Sequence, residues 1–409
     1  MKILIVNKFL YPNGGSETYI FEIGKYLTSQ GHEVQYFGME HAGRIVGNKA
    51  GAYTPDMDFH GSKLSKLTYP FKIIYSKEAR TKIRCVLDDM QPDVVHLNNI
   101  NFQITPSVID EIRAYEKQTG RRVRIIFTAH DYQWICPNHM MNIPSSGQNC
   151  DACVGGCYNN CTKNRCIHGS LIKSLLGTIE AKLYKKRKTY GLVDEIICPS
   201  EFLYKQFIRD EILASVRPVV RHNFLIKEED YDRVCALDKQ DYVLYFGRFS
   251  KEKGIETLIQ AMKQLPDIRF IVAGKGPLED KLEDIPNVSN VGFKSGEELH
   301  KLIREAAFSI YPSQWYENCP FSVMESIAYG TPVLGARIGG IPELIEEGYT
   351  GALFESGSVE ALTSAIRILW NDKTGLADMS DNCLKNEFDT VESYCDWLLA
   401  RYQPTTSSI

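Results

Sequence analysis

Residues 241–254 read Asp241-Tyr-Val-Leu-Tyr-Phe-Gly247-Arg248-Phe-Ser-Lys-Glu-Lys253-Gly254. The run of Tyr, Val, Leu and Phe closed by glycine has the composition and length of a buried strand. Arg248 and Lys253 follow, five residues apart, and an amphipathic helix starts at Gly254. Downstream the pattern alternates. A strand is predicted at 268–273, with a glycine turn at Gly274-Lys275-Gly276-Pro277, and further strands near 288–292 and 308–311. A helix from about Pro320 leads into a strand at 332–335, and the alternation runs to Trp370. Strands separated by helices in this way build a parallel α/β sheet.

Upstream, a similar series has already been run once. Ile3–Val6 is a short apolar strand, followed by a loop with Gly14-Gly15. Ser16 is expected to cap a helix reaching about Gln30, Gly31 to stop it, and 32–37 to form the next strand. Further strands are predicted at 93–97, 124–130, 195–199 and 218–222. The chain of 409 residues exceeds what one core usually supports. The reading is therefore two Rossmann-like, doubly wound parallel-sheet domains, 1–225 and 226–385. Their linker is expected near 224–240, where Lys227, Glu228, Glu229, Asp230 and Asp232 cluster. Residues 386–409 carry Phe388, Tyr394, Trp397 and Leu398 at helical spacing, as a terminal helix packing back on the first domain.

The composition is 44% apolar and 24% charged, with a formal net charge of −4, which excludes disordered, collagen-like and coiled-coil chains. No apolar run approaches the roughly 20 residues of a bilayer-spanning helix, and the start is too short in apolar residues for a signal peptide. A cytoplasmic protein is expected. Residues 1–230 hold 30 Lys+Arg against 24 Asp+Glu, and residues 231–409 hold 17 against 27. A basic half points to an anionic partner for that half. With no basic stripe interleaved with aromatics, nucleic acid fits poorly; a membrane surface or a phosphorylated substrate fits better.

Glu317-Asn318-Cys319-Pro320-Phe321-Ser322-Val323-Met324-Glu325 places two glutamates eight residues apart between a strand and a helix. Pro320 suits a first helical turn, so Glu317 falls in the loop and Glu325 one to two turns into the helix. Both carboxylates could then face the crevice beyond the carboxyl ends of the strands, where open α/β sheets bind ligands. The first N–H groups of such a helix attract phosphate or sugar oxygens. A capped surface helix with solvated glutamates has the same spacing. Arg248 and Lys253 can straddle a diphosphate, Arg bidentately and Lys as a point charge, and also fit a solvated turn. Gly14 and Gly15 would let a phosphate approach the backbone, although glycine pairs commonly just make turns.

Taken together, these marks resemble the family 4 retaining glycosyltransferases of the GT-B fold, over nearly the whole chain. The resemblance rests on Gly14-Gly15, His130 after Arg-Ile-Ile-Phe-Thr-Ala, Arg248 and Lys253, Gly274-Lys-Gly-Pro, the paired glutamates with Gly-Thr-Pro-Val behind them, and Gly339-Gly340-Ile-Pro-Glu343. It implies two domains facing across a cleft, with a nucleotide-sugar donor mainly on the second. By the resemblance, Arg248 and Lys253 neutralise the diphosphate, and Glu325 accepts hydrogen bonds from the ribose. Glu317 holds hydroxyls of the transferred sugar, helped by N–H groups of Asn318, Cys319, Pro320's neighbours Phe321 and Ser322. Gly274, Gly276, Phe293 and Lys294 border the base, Gly15 lies near donor phosphates or acceptor, and His130 sits beside the donor sugar. Asp131 is a weaker acceptor-side candidate. Transfer would proceed with retention and without a catalytic metal. The expected donor is a UDP-sugar, then a GDP-sugar, carrying a hexose or N-acetylhexosamine. The expected acceptor is a saccharide or lipid-linked saccharide of a bacterial surface polysaccharide. A GT-B-like UDP-sugar epimerase and a non-catalytic interaction module using a zinc loop are the alternatives. A dinucleotide oxidoreductase is disfavoured, because Pro12-Asn-Gly-Gly-Ser does not supply Gly-x-Gly-x-x-Gly.

Two segments interrupt the alternation. Six of the twelve cysteines lie at 136–168. In a reducing compartment such density reads first as a metal site, with Cys150, Cys153, Cys161 and Cys166 as tetrahedral structural zinc ligands and Cys157 spare. Reduced free thiols and an iron–sulfur cluster are the alternatives. Residues 170–188 set Leu171, Ile172, Leu175, Leu176, Ile179 and Leu183 against Lys182, Lys185, Lys186, Arg187 and Lys188. With the basic and apolar residues of 60–84, this reads as an interfacial helix attracted to an anionic membrane surface, peripheral on the inner face of the plasma membrane. A core-facing helix with a solvated basic end is the alternative.

Overall fold

A computed structural model describes residues 1–55, 74–226 and 239–403. The chain divides into two compact units: residues 1–223 with 391–409, and residues 224–390. Most of the linker expected at 224–240, and the basic stretch of 60–84 up to residue 73, lie outside the described residues.

The first unit opens with β1 (Lys2–Val6), α1 (Gly15–Ser29) and β2 (Glu33–Phe37). It continues with α2 (Lys77–Met90), β3 (Val94–Leu97), α3 (Ser107–Thr119) and β4 (Arg124–Thr128). The cysteine-rich insertion holds a two-residue ribbon, β5 (Asn142–Ile143) with β6 (Gln148–Asn149), and the short α4 (Asn159–Lys163). Then come α5 (Leu171–Arg187), β7 (Glu195–Cys198), α6 (Glu201–Phe207), α7 (Glu211–Ser215) and β8 (Val219–Val220). The sheet order is β2-β1-β3-β4-β7-β8, with every neighbouring pair parallel. Ile3, Leu4, Ile5 and Val6 are wholly buried, as a strand covered on both faces requires.

The second unit runs β9 (Gln240–Phe246), α8 (Ile255–Gln264), β10 (Phe270–Ala273), β11 (Val288–Asn290) and α9 (Gly296–Glu305). It goes on through β12 (Ala306–Tyr311), α10 (Phe321–Ala328), β13 (Val333–Ala336), β14 (Gly351–Phe354), α11 (Val359–Asn371) and α12 (Lys373–Lys385). Its strand order is β11-β10-β9-β12-β13-β14, again all parallel. The strand order reverses between β9 and β12, so the loops after these two strands diverge over a crevice at their carboxyl ends. In the first sheet the corresponding reversal lies between β1 and β3.

A last helix, α13 (Val391–Tyr402), belongs to the first unit. It is held by buried hydrogen bonds rather than by apolar contact alone. Tyr394 Oη lies 3.0 Å from Tyr19 Oη, which lies 3.2 Å from Thr128 Oγ1. Tyr402 Oη lies 2.7 Å from Nδ1 of the wholly buried His96, whose Nε2 lies 2.8 Å from the same threonine. Burial pushes the His96 pKa down to about 3, so the ring is neutral and bridges the two hydroxyls. The terminal helix expected from the sequence thus returns to the first unit. The capping assignment at α1 is corrected. Gly14 is the cap residue, without a side-chain bond, and Ser16 lies inside the helix with its hydroxyl donating to Glu17 Oε1 at 3.0 Å.

Candidate functional site

The crevice of the second sheet is built by lacing the loop after β9 to its neighbours. Phe249 N donates to Lys275 O and Leu278 N to Phe249 O, both at 3.0 Å, tying it to the glycine turn after β10. A Cβ at Gly274 would stand 1.9 Å from Gly247 O, so only glycine lets the two backbones meet. On the other side, Gln314 N donates to Glu252 O at 2.9 Å, tying the same loop to that after β12.

The second lacing brings Lys253 and Glu317 together. Lys253 Nζ lies 2.6 Å from Glu317 Oε1, and the same oxygen accepts from Trp315 Nε1 at 2.6 Å and Ser313 Oγ at 2.8 Å. Lys253 also reaches Tyr311 Oη at 3.1 Å and lies 5.5 Å from the ring centres of Tyr311 and Trp315. Burial alone would lower the Lys253 pKa. The Glu317 carboxylate, with Tyr311, outweighs that and holds the ammonium well above its usual value. Gly339 supports the loop from behind: its φ is +57°, and a Cβ there would be 2.3 Å from Glu317 O. The sequence singled out both charges and this glycine. It did not show that the two charges pair, nor that Tyr311, Ser313 and Trp315 enclose them.

Glu325 stands one helical turn into α10, half-buried and without a hydrogen-bonding side-chain partner among the described residues. Desolvation raises its carboxyl to about 7. At the start of α10, Pro320 is the cap residue and gives no side-chain cap, so the Phe321 and Ser322 N–H groups stay available at the positive end of the helix. Asn318 precedes this turn, and Cys319 is buried with its Sγ 3.8 Å from Met324 Sδ. Arg248 is exposed. It lines a pocket of about 260 Å³ with Phe246, Gly247, Gly274, Lys275, Phe293 and Lys294 among its walls, and neither Lys253 nor Glu317 is among the residues that line it. Phe293 is 65% exposed there, an open aromatic face suited to a planar ring. Gly276 follows in the same turn, where a Cβ would meet Phe249 O at 2.4 Å.

In the first unit, Gly14 and Gly15 open α1 at the carboxyl end of β1, both exposed. His130, just beyond β4, has Nε2 2.9 Å from Asn98 Oδ1, its ring edge-on to Tyr19 at 4.8 Å. Burial lowers its pKa to about 3. The ring is therefore neutral, with Nε2–H donating to Asn98. Asp131 beside it is raised to about 6 by desolvation, against the Gln133 N–H at 2.8 Å and the charge of Lys8. Lys8, Asn98 and Glu17, all gathered here, were not marked by the sequence reading; Glu17 accepts from Asn7 Nδ2 at 2.9 Å.

Matches to family models cover both units. Residues 13–225 match the model described as Glycosyltransferase Family 4, and residues 227–386 match Glycosyl transferases group 1. The chain belongs to the family 4 glycosyltransferases. It is a retaining transferase of hexosyltransferase type. An uncharacterised glycosyltransferase of Methanocaldococcus jannaschii is 29% identical over 240 residues, 56% of this chain and 66% of that protein. A sulfoquinovosyl transferase of Arabidopsis thaliana is 36% identical over 138 residues, 32% of this chain and 27% of that protein. An uncharacterised 42.6 kDa protein in the cps region of Klebsiella pneumoniae is 24% identical across 84% of this chain and 87% of its own. Among solved structures, the sucrose-phosphate synthase of Thermosynechococcus elongatus has a TM-score of 0.68 at 16% identity, covering 98% of each chain. Anabaena HepE in complex with UDP and glucose has a TM-score of 0.63 at 16% identity, covering 98% of this chain and 99% of its own. These likenesses establish the GT-B fold.

The cysteine insertion gathers its thiols. Cys153, Cys161 and Cys166 are buried in one cluster with Tyr158, and Cys161 is hydrogen-bonded to Cys166. Burial raises the Cys153 and Cys136 thiols, to about 12 and about 11. Among the described residues, no three or more His, Cys, Asp or Glu side chains are arranged as a metal centre.

Proposed function

We propose that this family 4 glycosyltransferase moves a hexose or N-acetylhexosamine from a UDP-sugar, with a GDP-sugar next in preference, to a saccharide or lipid-linked saccharide acceptor of a surface polysaccharide. The observation that carries the reading is the Lys253–Glu317 pair at the strand-order reversal of the second sheet, on the same β9 loop whose Arg248 lines a pocket with Phe293. The cps-region relative supports the polysaccharide setting, and HepE with UDP and glucose supports the donor.

In this reading the base stacks on Phe293 between Gly274, Gly276 and Lys294, and the ribose hydroxyls donate to Glu325. Arg248 faces the diphosphate. Lys253, kept charged by Glu317, adds a second positive charge. As the bond from sugar C1 to the phosphate oxygen breaks, its electron pair stays on the diphosphate. The acceptor oxygen attacks the same face of C1, and its proton passes to the departing phosphate oxygen. Fixed cations stabilise that developing charge more than they stabilise the bound donor, which is how they accelerate transfer. Glu317 and the N–H groups of Asn318, Cys319, Phe321 and Ser322 hold sugar hydroxyls. Neutral His130 orients groups beside the donor sugar, with Gly14 and Gly15 near the donor phosphates or the acceptor.

The test is a screen of nucleotide sugars for slow hydrolysis, scored by release of UDP or GDP. Release should be fastest from a UDP-sugar, and Arg248→Ala should slow it at least about tenfold. Release from no donor, or an Arg248→Ala rate equal to wild type, would remove the assignment.

For the insertion we propose a structural zinc on Cys150, Cys153, Cys161 and Cys166. Its support is the thiol donor chemistry and the gathering of Cys153, Cys161 and Cys166 in one buried cluster, which the ion would have to draw, with Cys150, into tetrahedral spacing. Protein purified without chelator should carry about one zinc per chain, and less than about half an equivalent would refute this.

A further inference from the structure

Helix α5 is mounted with its polar side inward. Its buried residues are Ser174, Gly177, Thr178, Glu180 and Tyr184. Leu171, Ile172, Leu175 and Ile179 on the opposite side are 51%, 71%, 47% and 43% exposed. Ordinary amphipathic helices bury the reverse faces.

The cause is the insertion packed against it. Thr178 Oγ1 donates to Tyr158 O at 3.1 Å and lies 2.8 Å from Thr162 Oγ1. Ser174 Oγ accepts from Ile167 N at 2.9 Å. Lys182 donates to Asn159 Oδ1 at 2.7 Å, and Lys185 to Gly155 O at 2.6 Å and Asp210 at 2.8 Å. A Cβ on Gly177 would meet Ile167 Cδ1 at 2.5 Å, so the helix lies close against the insertion. Hydroxyls and glycine on α5 are used up in holding the insertion, and Leu171, Ile172, Leu175 and Ile179 are left facing outward.

The exposed stripe continues into charge. Residues 171, 175, 179, 182 and 186 follow one another at helical spacing, so Lys182 and Lys186 extend the line of Leu171, Leu175 and Ile179. Lys173, Lys186 and Lys188 are exposed with no ion-pair partner among the described residues, as are Lys163 and Arg165 on the insertion. The sole acid on α5 is the buried Glu180. At 17 residues the helix is about 25 Å long and can lie flat. Apolar side chains of partial exposure rimmed by unpaired cations match the interface of an anionic bilayer: acyl chains for the stripe, headgroups for the lysines. Among the described residues, no helix is long and apolar enough to cross a membrane.

We infer that α5, turned outward by the cysteine insertion, docks the chain on an anionic lipid surface. The inference goes beyond the transfer reading and does not depend on it. The apolar stripe supplies insertion, and the free lysines supply selection for negative charge.

The experiment is flotation of the full chain, without donor, on vesicles of phosphatidylcholine alone and of phosphatidylcholine with phosphatidylglycerol. Wild type should float with the anionic vesicles only, and added salt should weaken binding. Leu175→Ser/Ile179→Ser should bind at least about tenfold more weakly, and Lys186→Gln about fivefold more weakly. Both variants change exposed side chains, and unchanged far-ultraviolet dichroism and melting would show that they fold. Failure of wild type to float, or equal flotation by the Leu175/Ile179 variant, would overturn the inference. A wild-type dimer that the same variant abolishes, without flotation, would also overturn it, since a second copy would then cover the stripe. Nucleotide-sugar hydrolysis measured in vesicle-free solution should be unchanged in both variants, which separates this result from the transfer reading.

Discussion

Lys253→Met should weaken the second unit by about 2 kcal/mol. Removing one partner of a buried ion pair typically costs about 3–5 kcal/mol, because the other charge is left uncompensated. Here the cost is smaller. The Glu317 side chain is 9% exposed, but after substitution its Oε1 keeps the Trp315 bond at 2.6 Å and the Ser313 bond at 2.8 Å. Lys253 itself is 24% exposed, so some of its gain is already shared with water. A loss of about 2 kcal/mol corresponds to roughly thirtyfold faster amide exchange through opening of β9 and β12. Hydrogen exchange read by mass spectrometry on peptides from these strands measures this unit apart from the other. Lys253→Met combined with Glu317→Gln should recover at least half of the loss, because the amide leaves no buried charge. An acceleration below about threefold in the single variant would refute the idea that Lys253 compensates Glu317. So would a double variant no better than the single one.

Two further outcomes follow from groups held away from their usual ionisation. Glu325 is raised to about 7, and ribose hydroxyls should bind the carboxylate better than the acid. UDP affinity by calorimetry should therefore rise between pH 6 and 8, and Glu325→Gln should flatten that rise; a pH-independent wild type would refute the ribose assignment. Glu180 is raised to about 8 by burial, with no hydrogen-bonding partner among the described residues. Its folded pKa lies above its ordinary value of 4.5, so stability is greatest below that value and is lost as pH rises through about 8. Glu180→Gln should raise the melting temperature at pH 8 more than at pH 5, by at least about 1 kcal/mol of stability at the higher pH; equal gains at both would count against it.

The two sheets were legible because a parallel strand buried on both faces must be a short apolar run, as Tyr242–Phe246 and Ile3–Val6 are. The helix starts were less legible. Ser16 has the composition of a cap, yet Gly14 occupies that position, and composition alone does not locate the first helical turn. The charges of the site stood out in the sequence, but their pairing did not. Lys253 and Glu317 are 64 residues apart and meet only because β9 and β12 are neighbours in the sheet, which local periodicity does not encode. The stripe on α5 was visible as a pattern, whereas its direction was not. Which face turned outward depended on hydroxyls of Ser174 and Thr178 meeting a segment with no periodicity of its own.

The position of α13 has a consequence for biosynthesis. Tyr394 and Tyr402 complete a buried polar chain through Tyr19, Thr128 and His96, yet they leave the ribosome after the whole of residues 224–390. The half that emerges first is thus the last to be finished. Until translation reaches Tyr402, the nascent amino-terminal half must wait with a wet seam where this helix will close, and a fragment cut at residue 223 would keep that seam permanently.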